Sequence, residues 1–566
     1  MAALSASPRA LLRVRATGLW QRLAVLAVVV GLAYLVVVPL FRLQELAMAD
    51  GGRAYGDAVG NDRVIDALVT TIVLALGSLA IAMVLGTALA FTATRLPSRY
   101  RFLRALPLLP IVVPSVASVV GWAFLLSPGP GYLNGLLRVL PWWDHRSEGP
   151  VDVYTLPWIV IITGFGLVPF AYTFMNAGLQ NIGSDQIEAA QVSGSSQLGV
   201  FFRVVLPLLR PSLVYGTGVC LLLALGQFAP PLFLGANEGI RVLTTEIYRS
   251  VSQAPVDYGI AAAIGSPLLV FGVVVVFVQK LALGDQSRFV THGGKGFVAR
   301  DRPSKWAVCS ILSFSLVATV LPVIGLVIVA MSPFWSGAPS FDSMTLDNFR
   351  TVINDSAIVE AIKNSLLLSL TAVLITVPIG FFSAALILRG SRYPVLRQVL
   401  DLVVSLPLSV PAVVFGAGFL LAYTQAPLVL YGSRTVLVLV YVTLMLPFAT
   451  RMLLTGLISL GQGYTEASRA SGASALSTSV RITLPLMRTS IAGALALMFV
   501  LLTHEFTASL LVRAPTTQVM GTILYDYWTN GSYPTVAAVA LLMTVVTALG
   551  VAVATAVGGR NVLSRL

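Results

Sequence analysis

Twelve apolar runs, each close to the ~20 residues that a helix needs to cross a bilayer core, leave this chain little choice of solvent. They fall near 23–41, 67–94, 105–127, 154–176, 211–235 and 258–279, then near 306–332, 364–388, 402–424, 435–450, 489–512 and 533–557. Arginine, glycine, proline and acidic residues punctuate them. Over 566 residues the chain is 57% hydrophobic and only 10% charged, which excludes a water-soluble globular class. The expected fold is an all-α membrane protein of twelve transmembrane helices.

The net charge of +13 does not point to nucleic acid, because lysine and arginine lie in short stretches between apolar runs and form no basic domain. Cys220 and Cys309 both fall inside apolar segments, so neither a disulfide framework nor a paired-cysteine metal site is expected. The N-terminal Arg9, Arg13, Arg15 and Arg22 before an apolar run imitate a secretory leader, and Ala47-Met48-Ala49 imitates its cleavage site. The run from Leu23 to Phe41 is span-length, however, and the small-residue triplet lies beyond Arg42 and Glu45. It reads as the first span.

Basic side chains are retained on the cytoplasmic side during insertion. Counting alternate loops with the N-terminus inside gives 25 basic residues on one side and 11 on the other, while the acidic residues divide 6 against 16. Both termini are therefore expected in the cytoplasm.

The two sets of six runs are copies. PFAYTFMNAGLQ from Pro169 aligns with PFATRMLLTGLI from Pro447 at an offset of 278, and Pro110–Pro114 with Pro407–Pro411 at 297. The first half thus carries 19 extra residues between these points, which fit the loop around PGPGYLNGLLRVLPWWDHRSEG. An even number of spans in each copy makes the repeat parallel, with a pseudo-two-fold axis along the membrane normal. The expected units are 1–285, a cytoplasmic linker 286–305, and 306–566.

The longest cytoplasmic loop of each half (177–210 and 457–488) repeats one pattern: EAAQVSGSSQLGVFFRVVLPLLRPSL and EASRASGASALSTSVRITLPLMRTSI. Glu188 stands six residues before Gly194 and nineteen before Pro207; Glu466 stands six before Gly472 and nineteen before Pro485. Good helix formers followed by glycine describe a short helix with a left-handed end. A second short helix follows, and Leu-Pro is expected where the chain turns into the next span. Such a loop suits docking on a soluble partner.

These residues resemble the Glu-Ala-Ala signature of binding-protein-dependent ABC importer permeases of the first structural type, in the form that fuses two halves. Glu188, Ala189, Ala190, Gly194, Leu206 and Pro207 match it in the first half; Glu466, Ala467, Ser468, Gly472, Leu484 and Pro485 match it in the second, with Ser468 in place of alanine. Val204 and Ile482 fill its branched apolar position. The resemblance implies a coupling helix at each loop, docked on one of two copies of an ATP-binding cassette subunit. It also implies an external substrate-binding protein and a place in the cytoplasmic (inner) membrane. ATP and magnesium would be bound by the separate ATPase, since the nearest glycine cluster here, Gly293-Gly294-Lys295-Gly296, lacks the spacing and hydroxyl of a phosphate-cradling loop. No nucleophile, metal cluster or carboxylate pair suggests an enzyme, and no cofactor is expected in the chain.

One carboxylate, Glu505, falls inside an expected span, beside His504, and the repeat relates it to Gln227. Charge at that depth is costly and is usually turned to a cavity or a partner. The pair is expected to face across the axis, either lining a path or making a buried structural hydrogen bond. RFVTHGGKGF from Arg288 and the stretch around Glu505 are similar to segments of ferric-iron permeases, although His504 stands where that family has a basic residue. Carboxylate oxygen suits a hard cation. Thiamine and phosphonate importers are built alike and stay open. So do two other classes: a secondary transporter with two six-helix halves, which gives no reason for two such loops, and a membrane assembly protein.

The charge asymmetry predicts that thiol labelling of introduced cysteines in intact cells reaches loops 128–153 and 333–360 from outside and leaves Ser195→Cys unlabelled. Labelling of Ser195→Cys from outside only would reverse the orientation.

Overall fold

The computed structural model describes residues 8–141, 148–180, 182–283, 304–336, 341–389, 394–461 and 463–558. Most of the expected linker, with the whole RFVTHGGKGF segment and the Gly293–Gly296 cluster, lies outside them. Every regular element described is helical. Eight helices are long and apolar enough to cross a membrane, and four bent pairs bring the number to twelve if each pair is one span. Apolar side chains such as Val273 (56% exposed) and Phe277 (60%) face outward from the bundle, as lipid-facing residues do.

The eight long spans correspond to the first, second, fourth and sixth of each half. Several run past their apolar cores: Leu156–Gln180, Ser356–Arg389 and Arg434–Leu460 extend into polar sequence at one end or both. Pro8–Val59 is helical except at Ala49–Gly52, where Asp50, Gly51 and Gly52 have positive φ. Pro39, Pro169 and Pro447 stay inside continuous helices.

The third and fifth spans correct the sequence reading. Expected as single runs over 105–127 and 402–424, the third spans bend by 88° between Ser98–Val112 and Ser115–Leu126, and by 109° between Pro394–Ser409 and Ala412–Tyr423. The cause is Pro114 and Pro411, since a residue before proline is pushed out of the helical region; Val113 takes φ −83°, ψ 121°. The fifth spans, expected over 211–235 and 489–512, end early, at Leu225 and Thr503. Non-helical turns at Gly226–Gln227 and His504–Glu505 follow them, so Glu505 sits at a break and not within a helix. Leu206-Pro207 and Leu484-Pro485 do not mark the turn into these spans either. They lie inside the second loop helix, and the bends of 67° and 72° come at Leu209 and Met487. A wide turn before each proline, with Leu206 N donating to Phe201 O and Leu484 N to Ser479 O, carries the helix through.

The two halves interlock. Second and fourth spans pack within each half, whereas the first span of each half crosses the third span of the other. Gly121 and Gly418 make those crossings possible: a Cβ would lie 2.3 Å from the Pro322 carbonyl oxygen at the first and 2.7 Å from that of Pro39 at the second. Beyond the fifth spans, short helices Leu243–Ser252 and Met520–Thr529 are pinned to the second spans in the same way, Leu243 N donating to Thr71 Oγ1 at 2.9 Å and Met520 N to Ser365 Oγ at 2.8 Å.

Because alanine normally favours a helix over glycine, these crossings give a test of sign. Gly121→Ala and Gly418→Ala are expected to destabilise by about 1–3 kcal/mol through overpacking, read as earlier thermal unfolding in detergent. Gly166→Ala, with open space around its Cβ, is expected to hold or gain. Stabilisation by the first two would refute the tight crossing.

Candidate functional site

Irregular backbone at membrane depth is tolerated where protein or a water-filled cavity satisfies it, so the four breaks are the first place to look for a path. Three of them come together: a Cβ on Gly226, at the first fifth-span break, would lie 3.3 Å from Pro411 Cβ, at the third-span break of the other half. Next to Gln227 and Glu505, the rings of Phe228 and Phe506 meet with centroids 5.6 Å apart. The repeat thus brings both breaks to the axis.

Gln227 donates through Nε2 to Leu223 O at 3.3 Å, and its carbonyl accepts Thr244 Oγ1 at 2.6 Å. Glu505 is held by its own chain. Its carboxylate accepts Ala508 N at 2.8 Å, Ser509 N at 3.0 Å and the Ser509 hydroxyl, which also bonds Tyr441 Oη at 2.8 Å. It therefore starts the short helix Thr507–Val512. His504 Nε2 is buried without a hydrogen-bond partner among the described residues. Gln227, His504 and Glu505 keep accessible surface while Phe228 and Phe506, one residue on, are only 1% and 3% exposed. Of the two roles expected for Glu505, the structural hydrogen bond is explicit in the geometry; Gln227 and Glu505 make no hydrogen bond to each other among the described residues.

At the opposite end of the fifth spans, the two repeated loops have one stereochemistry. Ser184–Val192 and Gly463–Ala470 are short helices closed by Gly194 (φ +83°) and Gly472 (φ +84°). Gly194 N donates to Gln191 O and Ser195 N to Ala190 O; Gly472 N donates to Arg469 O and Ala473 N to Ser468 O. These reach-back bonds satisfy the last carbonyls and require left-handed backbone, which glycine adopts without strain. Glu188 and Glu466 are both exposed, as are Ala189 and Ala467, while Leu206 and Leu484 are half-buried. Pro207 and Pro485 are exposed. Ser468, buried, bonds Thr478 Oγ1 at 2.9 Å; the repeat equivalents, Ala190 and Val200, lie in one apolar cluster. The alanine-to-serine change is thus matched by a second hydroxyl.

The sequence reading missed part of this surface. Phe202 and Val480 (60% and 53% exposed), with Arg203 and Arg481, stand on the second loop helices at the repeat offset of 278. The same repeat that revealed the glutamates also contains them, at the one offset of 278.

Residues 67–283 and 376–561 match the family described as binding-protein-dependent transport system inner membrane component. A ferric transport system permease protein of Actinobacillus pleuropneumoniae is 25% identical over 463 residues, covering 80% of this chain and 65% of that protein. The chain therefore spans just under two thirds of that relative. A probable ABC transporter permease protein of Sinorhizobium fredii is 27% identical, covering 79% of each chain. Among solved structures, a chain of a bacterial alginate ABC transporter aligns over 49% of this chain and 97% of its own, at 21% identity and TM-score 0.41.

Glu505→Ala removes the acceptor for two amides and a hydroxyl, and is expected to cost about 0.5–2 kcal/mol, as the loss of a helix cap does. Glu505→Gln keeps one carbonyl acceptor and is expected to cost less. Thermal unfolding of the detergent-solubilised chain decides it: wild-type behaviour of Glu505→Ala would show that the carboxylate does not hold this break.

Proposed function

Because the chain belongs to the binding-protein-dependent transport system inner membrane component family, we propose that it is the fused two-half permease of an ATP-driven ABC importer, with ferric iron as its cargo. As a member of that family it is a transport component and not an enzyme. The observation that carries the importer reading is the pair of loops with one fold and one set of exposed groups, set at the same end of a two-fold bundle. Two identical ATPase subunits have a use for two such surfaces, each offering a carboxylate, an aromatic or branched apolar side chain and a guanidinium. A secondary transporter has none. An external binding protein would deliver the cargo to the other end. In this reading both loops and both termini are cytoplasmic, 1–285 and 306–566 are the two permease halves, and 286–305 joins them.

Within the membrane, Gln227, His504 and Glu505 are proposed to line the path where the fifth spans break. A carboxylate fixed by two amides offers its remaining oxygen lone pairs to a passing hard cation. Support for iron comes from the ferric relative and from this chemistry.

Removing one member of a charge pair strands its partner at a docked interface. Glu188→Ala and Glu466→Ala are each expected to lower transport and the recovery of co-expressed ATPase, and the double variant is expected to abolish both. Insertion is unaffected, as no span is altered. Uptake of radioactive ferric iron by membranes containing the binding protein and ATPase reads the cargo separately. A double variant that still binds the ATPase would remove the coupling role from these loops; ATP-dependent coupling without ferric uptake would keep the importer and discard the iron.

A further inference from the structure

Four aromatic side chains close a ring about the pseudo-two-fold axis, on the far side of the breaks from the repeated loops. Phe228 meets Phe506 at 5.6 Å between centroids, Phe228 meets Tyr248 at 5.8 Å, Phe506 meets Tyr525 at 5.9 Å, and Tyr248 meets Tyr525 at 6.2 Å. The members are related by the repeat, Phe228 to Phe506 at 278 and Tyr248 to Tyr525 at 277. Each half therefore contributes one ring from its fifth-span break and one from the short helix that follows. Gln227, His504 and Glu505 lie one or two residues from this ring in sequence.

The surroundings of the ring are unequal. Phe233 touches Phe506 at 5.7 Å, Tyr525 at 5.4 Å and Trp528 at 5.5 Å. Trp528 in turn touches Tyr533 at 5.2 Å and Phe124 at 6.2 Å. At the repeat positions of Phe233, Trp528 and Phe124 stand Leu511, Val251 and Leu421. Thus Phe506 and Tyr525 are built into an extended aromatic stack, and the corresponding side of Phe228 and Tyr248 is aliphatic. A hydrogen bond also ties the elements that carry these two rings: Thr244 Oγ1, on the helix of Tyr248, donates to the Gln227 carbonyl next to Phe228.

We propose that the Phe228–Tyr248–Phe506–Tyr525 ring is the seal of the permeation path and that it opens on one side, by displacement of Phe228 with Tyr248 away from a fixed Phe506 and Tyr525. This rests on the reading of the axis as the path. An aromatic constriction of this kind, with the hydroxyls of Tyr248 and Tyr525 hydrogen-bonded to each other across the opening line, excludes hydrated ions by remaining dry. Aromatic contacts hold the fixed side, each adding to the burial it accompanies.

The test uses the full chain reconstituted in liposomes without ATPase, with potassium leak as the readout. Wild-type liposomes are expected to be tight. Phe228→Ala and Tyr248→Ala are expected to raise the leak by about tenfold or more, since the seal depends on a dry constriction. Phe506→Ala is expected to leak far less, because Phe233 and Tyr525 fill behind it. Tight liposomes with both Phe228→Ala and Tyr248→Ala, at wild-type insertion, overturn the seal. Equal or greater leak from Phe506→Ala overturns the one-sided opening. ATPase co-purification with the same variants tests the importer reading independently, so its failure is distinguishable from failure of the seal.

Discussion

A backbone amide or carbonyl at bilayer depth has no solvent to turn to, and this fold interrupts four of its helices there. Everything near the axis answers that demand. After the first fifth span, the Gln227 carbonyl accepts Thr244 from the following short helix, and Leu232 N reaches Phe228 O. After the second, the Glu505 carboxylate takes the amides of Ala508 and Ser509. At the third-span breaks the carbonyls of Pro114 and Pro411 accept Ser118 N and Val414 N, which restarts each helix at once. The breaks are compact because the donors and acceptors they free are answered within a few residues or by the next helix.

Such breaks also need walls, and the interlocking of the halves supplies them. With the first span of each half crossing the third span of the other, neither half encloses its own third-span break alone. The glycine crossings at Gly121 and Gly418 set how closely the walls approach. The proposed coupling between the two ends has a continuous route: each repeated loop runs through Leu209 or Met487 directly into a fifth span, whose other end is a break beside the aromatic ring. A tilt imposed on the loop is delivered to the ring through one helix of sixteen residues.

Much of this was legible in the sequence. Run length gave the spans, and the repeated residues at fixed offsets gave the two halves and the paired loops, because positions such as Glu188 and Glu466 serve the same local stereochemistry. Hydropathy was blind to direction. A bent pair such as Pro394–Ser409 with Ala412–Tyr423 is as apolar as a straight span, and only the proline at 411 hints at the turn. Gly226 and Pro230-Pro231 were visible interruptions inside an apolar run; the second half has neither, and its break depends on how Glu505 folds back on Ala508 and Ser509. The aromatic ring was harder still. Phe228 and Phe506 sit beside the polar pair that the repeat singled out, but their partners Tyr248 and Tyr525 come from the next helix, and proximity across twenty residues is a property of the fold.

The aromatic stack on one side of the ring has a further consequence for how such a protein can change. Were the two halves products of a single gene assembled as a homodimer, any substitution would arrive twice, and a tryptophan that braces one side would crowd the other as well. Joining the halves in one polypeptide lets each position vary alone. Trp528 is bulky where its repeat equivalent, Val251, is not, and Ser468 has a hydroxyl partner in Thr478 while Ala190 keeps its apolar surroundings. Duplication followed by fusion thus turns a symmetric pore into two separately adjustable jambs, one free to harden while the other stays compliant.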